Sequence, residues 1–270
     1  MDLDAISELL RATAAAAIMP RFRSLTEADV HTKSVDSAGV ADLVTVADLE
    51  AEQLITAGLA ELAPGIPVIG EEAVAAEPSL TVGLAELAAY FVLDPVDGTA
   101  NFVAGDPAFG VMLALVHHRD VVASWILLPV PDRMYVAQRG AGAYLDGRRI
   151  EPRRTSTDPA ELRCWLSTRL LPTPWSEAAV VGGARFGSVS SGPGSAASAY
   201  AGFVDGEVEV GLAWRTHPWD HAPGSLLLRE AGGAARRFDG DDYRPGDDGA
   251  GLLMTADADA WDTVRSTLLG

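Results

Sequence analysis

Asp94 and Asp97 stand three residues apart, with Gly98 and Thr99 directly behind them. The apolar run Tyr90-Phe91-Val92-Leu93 leads into Asp94, and Pro95 biases Asp94 to extended backbone. The spacing therefore predicts a carboxylate at a strand end and a second one in the turn that follows. Two acids converging on one point repel, and a divalent cation offsets that repulsion best. Ligands that are all carboxylates suit magnesium or manganese. Gly98 permits a tight turn, and a helical turn opening at Thr99 would offer free N–H groups to a phosphate. Such ions and dipoles would supply the local positive charge an anion needs in a chain of formal net charge −18, from 38 acids against 20 bases.

Other acids repeat the arrangement. Glu71 and Glu72 follow the short apolar run 67–70, again at a strand end. Asp42-Leu43-Val44-Thr45 precedes a helical stretch, with Asp48 three residues beyond Thr45. Thr45 reads as the N-cap and Asp48 as an acid that merely favours the positive helix end. Trp219-Asp220 opens a further helix, where Asp220 can cap with one oxygen and bind a cation through the other.

The elements that must position these groups are legible in outline. Apolar spacing predicts helices over 3–18, stopped near Pro20, and over 45–59, 195–203 and 221–231. Short apolar runs over 67–70, 90–93, 111–116, 121–128 and 134–137 predict strands. Asp146-Gly147 and Asp205-Gly206 read as turns, the second leading into the alternating Glu207-Val208-Glu209-Val210. Helices and strands mix throughout, so the class is α/β or α+β with layered sheets. The stretch 148–159 is the best internal boundary. It divides an N-terminal α+β part, 1–150, with most of the acids, from a C-terminal α/β part, 151–270, with Asp220, the two forming one compact unit.

Composition bounds the function. A chain of 270 residues, 48% hydrophobic and 21% charged, is globular. The acidic balance argues against nucleic acid and anionic membrane as partners. One cysteine, Cys164, excludes an intrachain disulfide and a cysteine-built zinc site. The five histidines lack the HExxH spacing. No apolar run reaches the roughly 20 residues of a membrane span, and no basic leader precedes Ala14, so a cytoplasmic location is expected. The stretch 239–248 holds five aspartates without the order of a calcium loop, and reads as a solvated loop.

Taken together, Asp42-Leu43-Val44-Thr45-Val46-Ala47-Asp48, Gly70-Glu71-Glu72, Asp94-Pro95-Val96-Asp97-Gly98-Thr99-Ala100-Asn101-Phe102 and Trp219-Asp220-His221-Ala222-Pro223-Gly224 resemble the signatures of the inositol monophosphatase family. That family belongs to the lithium-sensitive, magnesium-dependent phosphatases that include fructose-1,6-bisphosphatase. The resemblance runs from about Lys33 to about Gly233. It implies a layered αβαβα fold and a phosphomonoesterase that uses a metal-activated water. Glu71, Asp94 and the Val96 carbonyl would hold a first magnesium, and Asp94, Asp97 and Asp220 a second. Glu71 would also serve a third, water-rich site, and manganese could substitute. Asp42 and Thr99 would orient and deprotonate the attacking water, with Glu71 assisting, and the Gly98 and Thr99 amides would receive the phosphate. Asp97, Gly194, Ser195 and Ala196 would face the substrate. A homodimer is the expected assembly.

The pattern departs from the inositol-specific members in three places, one of them the run Ser190-Ser191-Gly192-Pro193-Gly194, which is looser than usual where the family often has an Arg-Ser pair. Ala213 occupies the position of an acid that binds inositol hydroxyls, with Trp214 and Arg215 beside it. A stacking face and a guanidinium would favour an ester with a flat ring or a second anionic group. Candidates besides inositol phosphate are histidinol phosphate, fructose 1,6-bisphosphate, a 3′-phosphonucleotide and a nicotinamide dinucleotide phosphate. The loop over 35–41 is also longer than the family's. A catalytically silent relative would have lost a metal acid, and Glu71, Asp94, Asp97 and Asp220 are all present.

Overall fold

The computed structural model describes residues 1–35, 39–247, 249 and 251–270. Part of the expected long loop, 36–38, and Asp248 of the acidic stretch lie outside the described residues. Helix α1 (Leu3–Thr13) starts where the Asp2 carboxylate accepts the N–H groups of Asp4 and Ala5, and it runs on as a π-helical turn over Ala14–Ile18. Strands β1 (Val30–Val35) and β2 (Ala41–Thr45) pair antiparallel. Helix α2 (Val46–Leu62) follows. Then come β3 (Val68–Gly70), α3 (Glu71–Ala76), β4 (Ala89–Asp97), α4 (Thr99–Ala104), β5 (Gly110–His117), β6 (Asp120–Leu128), β7 (Arg133–Gln138), β8 (Gly142–Leu145) and β9 (Arg148–Arg149). After an irregular stretch the chain continues through β10 (Arg163–Leu166), α5 (Trp175–Gly183), β11 (Ser188–Ser190), α6 (Ala196–Asp205) and β12 (Val210–Ala213). It ends with α7 (Pro218–Glu230), β13 (Ala234–Arg236), β14 (Leu252–Thr255) and α8 (Trp261–Leu268).

The layers follow from alternation along the strands. In the seven-stranded sheet, β3 to β9 in sequence order, Phe91, Leu93, Val111, Leu113 and Trp125 point to one face and pack on Ile6 and Leu10 of α1 and Ile55 and Leu59 of α2. Tyr90, Val92, Met112 and Ala114 point the other way, onto Tyr200 and Phe203 of α6 and Leu226 and Leu227 of α7. Those two helices also meet Leu252 and Met254 of the five-stranded sheet, ordered β11-β10-β12-β14-β13. The far face of that sheet, with Val210, Leu212 and Leu253, packs on Ala179 of α5 and Trp261 and Val264 of α8. The result is the αβαβα sandwich. Both faces of each sheet are covered, which is why β4, β5 and β6 read as nearly unbroken apolar runs rather than alternating ones. Helices α6 and α7 approach closely enough that a Cβ on Gly224 would fall 1.9 Å from the Tyr200 ring.

Three expectations need correcting. Strand β4 does not end at Asp94 but runs to Asp97, with the register against β5 shifting between those two acids. Pro95 has no N–H to give the ladder, so the irregularity falls where the sequence forces it. Asp205-Gly206 is the end of α6, with Gly206 left-handed at φ 83°, and the strand begins only at Val210. Helix α7 starts at Pro218 behind His217, so Asp220 is its third residue and not its cap. Helices α3, α5 and α8 and strands β1, β2, β8, β9, β10, β11, β13 and β14 do not follow from the apolar pattern.

Candidate active site

The acids converge because three element ends meet. Asp94 and Asp97 come from the end of β4, Glu71 opens α3 directly after β3, and Asp220 stands in the first turn of α7. With Asp42, Val96, Gly98 and Thr99 they line a cleft of about 210 Å³. It adjoins a larger cleft of about 870 Å³, whose wall includes Lys33, Arg169, Arg215, His217 and Trp219. Gly98 makes the turn between β4 and α4 at φ 85°, and a Cβ there would fall 2.8 Å from Ser195.

Each acid is held differently. Asp94 is 3% exposed, and its Oδ1 accepts the Val96 N–H at 3.1 Å. Burial pushes its carboxyl well above the usual range, and Glu71, Asp97 and Asp220 push it the same way. Asp220 is raised well above as well, by burial and then by Glu71 and Asp97. Asp97 receives the Ala196 N–H at 3.1 Å, the Ala197 N–H at 2.8 Å and the Ser195 hydroxyl, all at the N-terminus of α6. Its carboxyl is still raised by burial, which outweighs those donors. Ser195 and Ala196 thus spend their polar groups on Asp97, while with Gly194 they also form part of the larger cleft wall.

The chain's single lysine, Lys33, sits in this acid cluster. Its Nζ donates to Glu71 at 2.6 Å and Glu72 at 3.1 Å and lies 3.7 Å from Asp42. Burial lowers its pKa, but Glu71 and Glu72 more than offset this and hold it above the ordinary value. From behind, the Glu52 carboxylate accepts the N–H groups of Glu72 and Ala73, at 3.0 and 2.8 Å, and so ties α3 to α2.

Two placements differ from the sequence reading. The carboxylate that the Thr99 hydroxyl meets is Asp48, at 3.1 Å, and not Asp42. Asp48 does form the expected capping box, its Oδ2 accepting the N–H and hydroxyl of Thr45. Its other oxygen is free to reach across to Thr99, whose hydroxyl also lies 3.0 Å from the Val96 carbonyl. Asp42, exposed on β2, lines the cleft mouth beside Lys33. The second difference concerns Ala213 to Arg215. Arg215 lines the larger cleft, but Ala213 ends β12 in the ladder with Leu252, and Trp214 packs its ring on Phe238 at 6.2 Å. Trp214 thus packs half-buried against the core, and Arg215 is the member of the three that lines the cleft. A signal for Asp48 was available: Ala47, Ala51, Ile55 and Leu59 form the buried stripe of α2, and Asp48 and Glu52 share its flank.

The donor set fits hard divalent cations. It is all oxygen, Asp94 and Asp97 are buried with Glu71 and Asp220 half-buried beside them, and its own charges destabilise one another unless a cation intervenes. Among the described residues, however, no three Asp, Glu, His or Cys side chains form a ready-made cage. Glu71 is turned to Lys33 and Asp97 to the amides of α6, so these side chains must shift to close on an ion.

The same charges set a pH dependence of stability. Burial raises Asp48 to about 6 and Glu72 to about 7, and it raises Asp94, Asp97 and Asp220 too. The native state then keeps protons that the unfolded chain has released, so these groups favour folding less as pH rises through their native values. His221 acts oppositely: burial lowers it to about 4, and stability from it is lost as pH falls below its unfolded value. His217, also lowered by burial, acts with His221, and the five raised acids outnumber the two histidines. Without metal, the melting temperature is expected to rise between about pH 7.5 and 5.5, and saturating magnesium is expected to flatten the trend. Thermal melts in chelator and in magnesium check this; a melting temperature that falls over that interval in chelator contradicts it.

Comparison with known proteins agrees with the geometry. The model of the inositol monophosphatase family matches residues 2–263. An inositol-1-monophosphatase of Mesorhizobium japonicum is 34% identical over 235 residues, covering 83% of this chain and 84% of that one. A Nus factor SuhB of Pseudomonas aeruginosa is 35% identical over 228 residues, covering 81% and 80%. The crystal structure of the extragenic suppressor protein suhB from Bartonella henselae superposes with a TM-score of 0.79 at 22% identity, covering 99% of this chain and 98% of that one.

Proposed function

This chain belongs to the inositol monophosphatase family, and from that premise we propose that it is a divalent-metal-dependent phosphomonoesterase acting on a small phosphate ester. The observation that carries this reading is the convergence of Asp94, Asp97 and Asp220 with Glu71 beside the Gly98–Thr99 turn. Glu71, Asp94, Asp97, Asp220 and the Val96 carbonyl would hold two magnesium ions, with a third at Glu71 and manganese as a substitute. Such ions supply charge neutralisation for the phosphoryl oxygens and acidify an attacking water.

The protein's own groups do the rest. The N–H groups of Gly98 and Thr99 are offered to the phosphate oxygens. The Thr99 hydroxyl donates to Asp48, which leaves its oxygen lone pairs to accept a proton from the attacking water. Asp48, raised to about 6, is matched to take the hydroxyl proton near neutral pH. No covalent phosphoenzyme is required. Lys33 neutralises Glu71 and Glu72 before substrate enters and stands at the cleft wall where an anion would arrive.

On the substrate side, Arg215 and Arg169 on the larger cleft support an ester carrying a second anionic group over inositol monophosphate itself. The alternatives are histidinol phosphate, fructose 1,6-bisphosphate, a 3′-phosphonucleotide and a dinucleotide phosphate. Phosphate release from this panel, with and without chelator, tests the reading. No release from any ester in magnesium would overturn it and would favour a binding role, the second reading suggested by the relative named Nus factor SuhB. Lithium is expected to inhibit without competing with substrate, as an ion of similar hardness entering the second site; turnover untouched by high lithium would mean that site differs from the family's. We place the enzyme in the cytoplasm as a homodimer. The edge strand β11, with Val189 46% exposed, supports self-association, and sedimentation measures it. No helix of the described residues is long and apolar enough to cross a membrane.

A further inference from the structure

The segment from Trp214 to His217 joins β12 to α7 and carries Arg215 and His217 on the wall of the larger cleft. It is neither helix nor strand, and its backbone joins α7 only at the end, where the His217 carbonyl accepts the His221 N–H at 3.2 Å. Side chains behind it hold the rest. His221, 7% exposed, lies one residue past Asp220, with Nε2 3.0 Å from the Arg215 carbonyl and Nδ1 3.0 Å from the Tyr200 hydroxyl. A carbonyl oxygen only accepts, so Nε2 carries the proton and Nδ1 accepts from Tyr200. Arg237, 2% exposed, donates from Nη1 to the Thr216 hydroxyl at 2.9 Å and to the Gly251 carbonyl at 3.1 Å, and from Nη2 to Asp247. Its guanidinium lies 4.8 Å over the Tyr243 ring. Successive residues, Arg215 by its carbonyl and Thr216 by its hydroxyl, are thus gripped by two buried donors from different elements.

We propose that His221 and Arg237 are positioning residues that clamp the 214–217 segment, so that the Arg215 guanidinium is presented to a second anionic group of the substrate. This rests on the reading of the larger cleft as the substrate site. Neither clamp touches substrate. Their backbone and hydroxyl contacts leave the Arg215 side chain to face the cleft, and a wall set beforehand does not have to be ordered when the ligand arrives. The acidic stretch before β14 supports the clamp as well, since Asp247 accepts from Nη2 of Arg237 and Tyr243 covers the guanidinium face.

The test uses full-length protein in magnesium and two probes, fructose 1,6-bisphosphate and p-nitrophenyl phosphate, which lacks a second anion. Calorimetric Kd and steady-state KM and kcat are measured for each. Arg215→Ala is expected to weaken the bisphosphate about tenfold and p-nitrophenyl phosphate severalfold less than that. His221→Leu is expected to do the same with kcat nearly unchanged, and Arg215→Ala placed on His221→Leu is expected to add little. His221→Gln, whose amide can still donate to the Arg215 carbonyl, is expected to restore most of the binding. Arg237→Lys, a folded alternative should His221→Leu fail to fold, is expected to weaken the bisphosphate selectively. The proposal is overturned if the Arg215 and His221 effects multiply, if both probes lose equally, or if Arg215→Ala changes neither. Magnesium-dependent binding of both probes without any phosphate release would instead count against the phosphatase reading and leave the clamp comparison intact.

Discussion

Asp94→Asn is expected to lower kcat by more than about a hundredfold, since even outer-shell partners of a metal site cost ten- to a hundredfold. No other single metal ligand is expected to cost more, because Asp94 faces Glu71, Asp97 and Asp220 at once. The same substitution should have the opposite sign on the metal-free protein. It removes a carboxyl that must either carry charge among like charges or hold a proton against its ordinary tendency, so the chelated variant is expected to melt at a higher temperature than the chelated wild type. Magnesium should then raise the wild-type melting temperature and hardly raise that of the variant. Activity that survives both exhaustive chelation and Asp94→Asn would remove the metal from the proposal. A metal-free variant less stable than the wild type would mean that Asp94 is held by hydrogen bonds, such as that from the Val96 N–H, more than it is opposed by its neighbours.

How much of this was legible depended on whether the signal was local. Asp94, Asp97, Glu71 and Asp220 stand beside apolar runs, Gly or Pro, and their place near element ends follows from those neighbours, though the exact ends of β4 and the start of α7 do not. The central strands β5, β6 and β7 read correctly because burial on both faces makes them long apolar runs. The register shift within β4 did not, since a bulge is decided by pairing with β5, which the sequence of β4 does not contain. Strands β10 to β14 are short, and helices α5 and α8 are tied to them, so their period is too brief to declare itself.

On the site, the errors were ones of partner rather than of place. Trp214 was visible as an aromatic near the substrate side, but its ring meets Phe238, twenty-four residues on in the chain, and no local rule finds that contact. Lys33 carries a signal of its own, as a lone lysine in a chain whose other permanent cations are arginines. An ammonium is a compact charge with three donors, and here it serves Glu71 and Glu72 together. Arg237 and His221 announce nothing in sequence. Their partners, Thr216, Gly251, Asp247 and Tyr200, are assembled only by the sandwich.

Asp48→Asn is expected to reduce kcat by roughly a hundred- to ten-thousandfold, the range of a lost general base, while Asp42→Asn is expected to change it only a few-fold. The capping box explains Asp48 but does not exhaust it. One oxygen accepts from Thr45 and the other from Thr99, and both must be acceptors. Asparagine has one acceptor oxygen, so either the helix cap or the Thr99 contact is lost. Losing the cap would cost about 0.5 to 2 kcal/mol of stability, which a melt reveals, and it would not by itself alter the pH dependence of turnover. Losing the base would. The wild-type rate is expected to fall as pH drops through a value at or below about 6, because Asp48 must be ionised to take the proton, and cations bound at Glu71 would weaken the part of its upward shift that Glu71 causes. That acid limb is expected to vanish in Asp48→Asn and in Thr99→Ala. The double variant should be little worse than either, since the two side chains act on one proton path. Thr99→Ser, which keeps the hydroxyl, should retain both the limb and most of the rate. If instead Asp42→Asn erases the limb and Asp48→Asn only lowers the melting temperature, the base is the exposed acid beside Lys33, and the contact between Thr99 and Asp48 serves the fold.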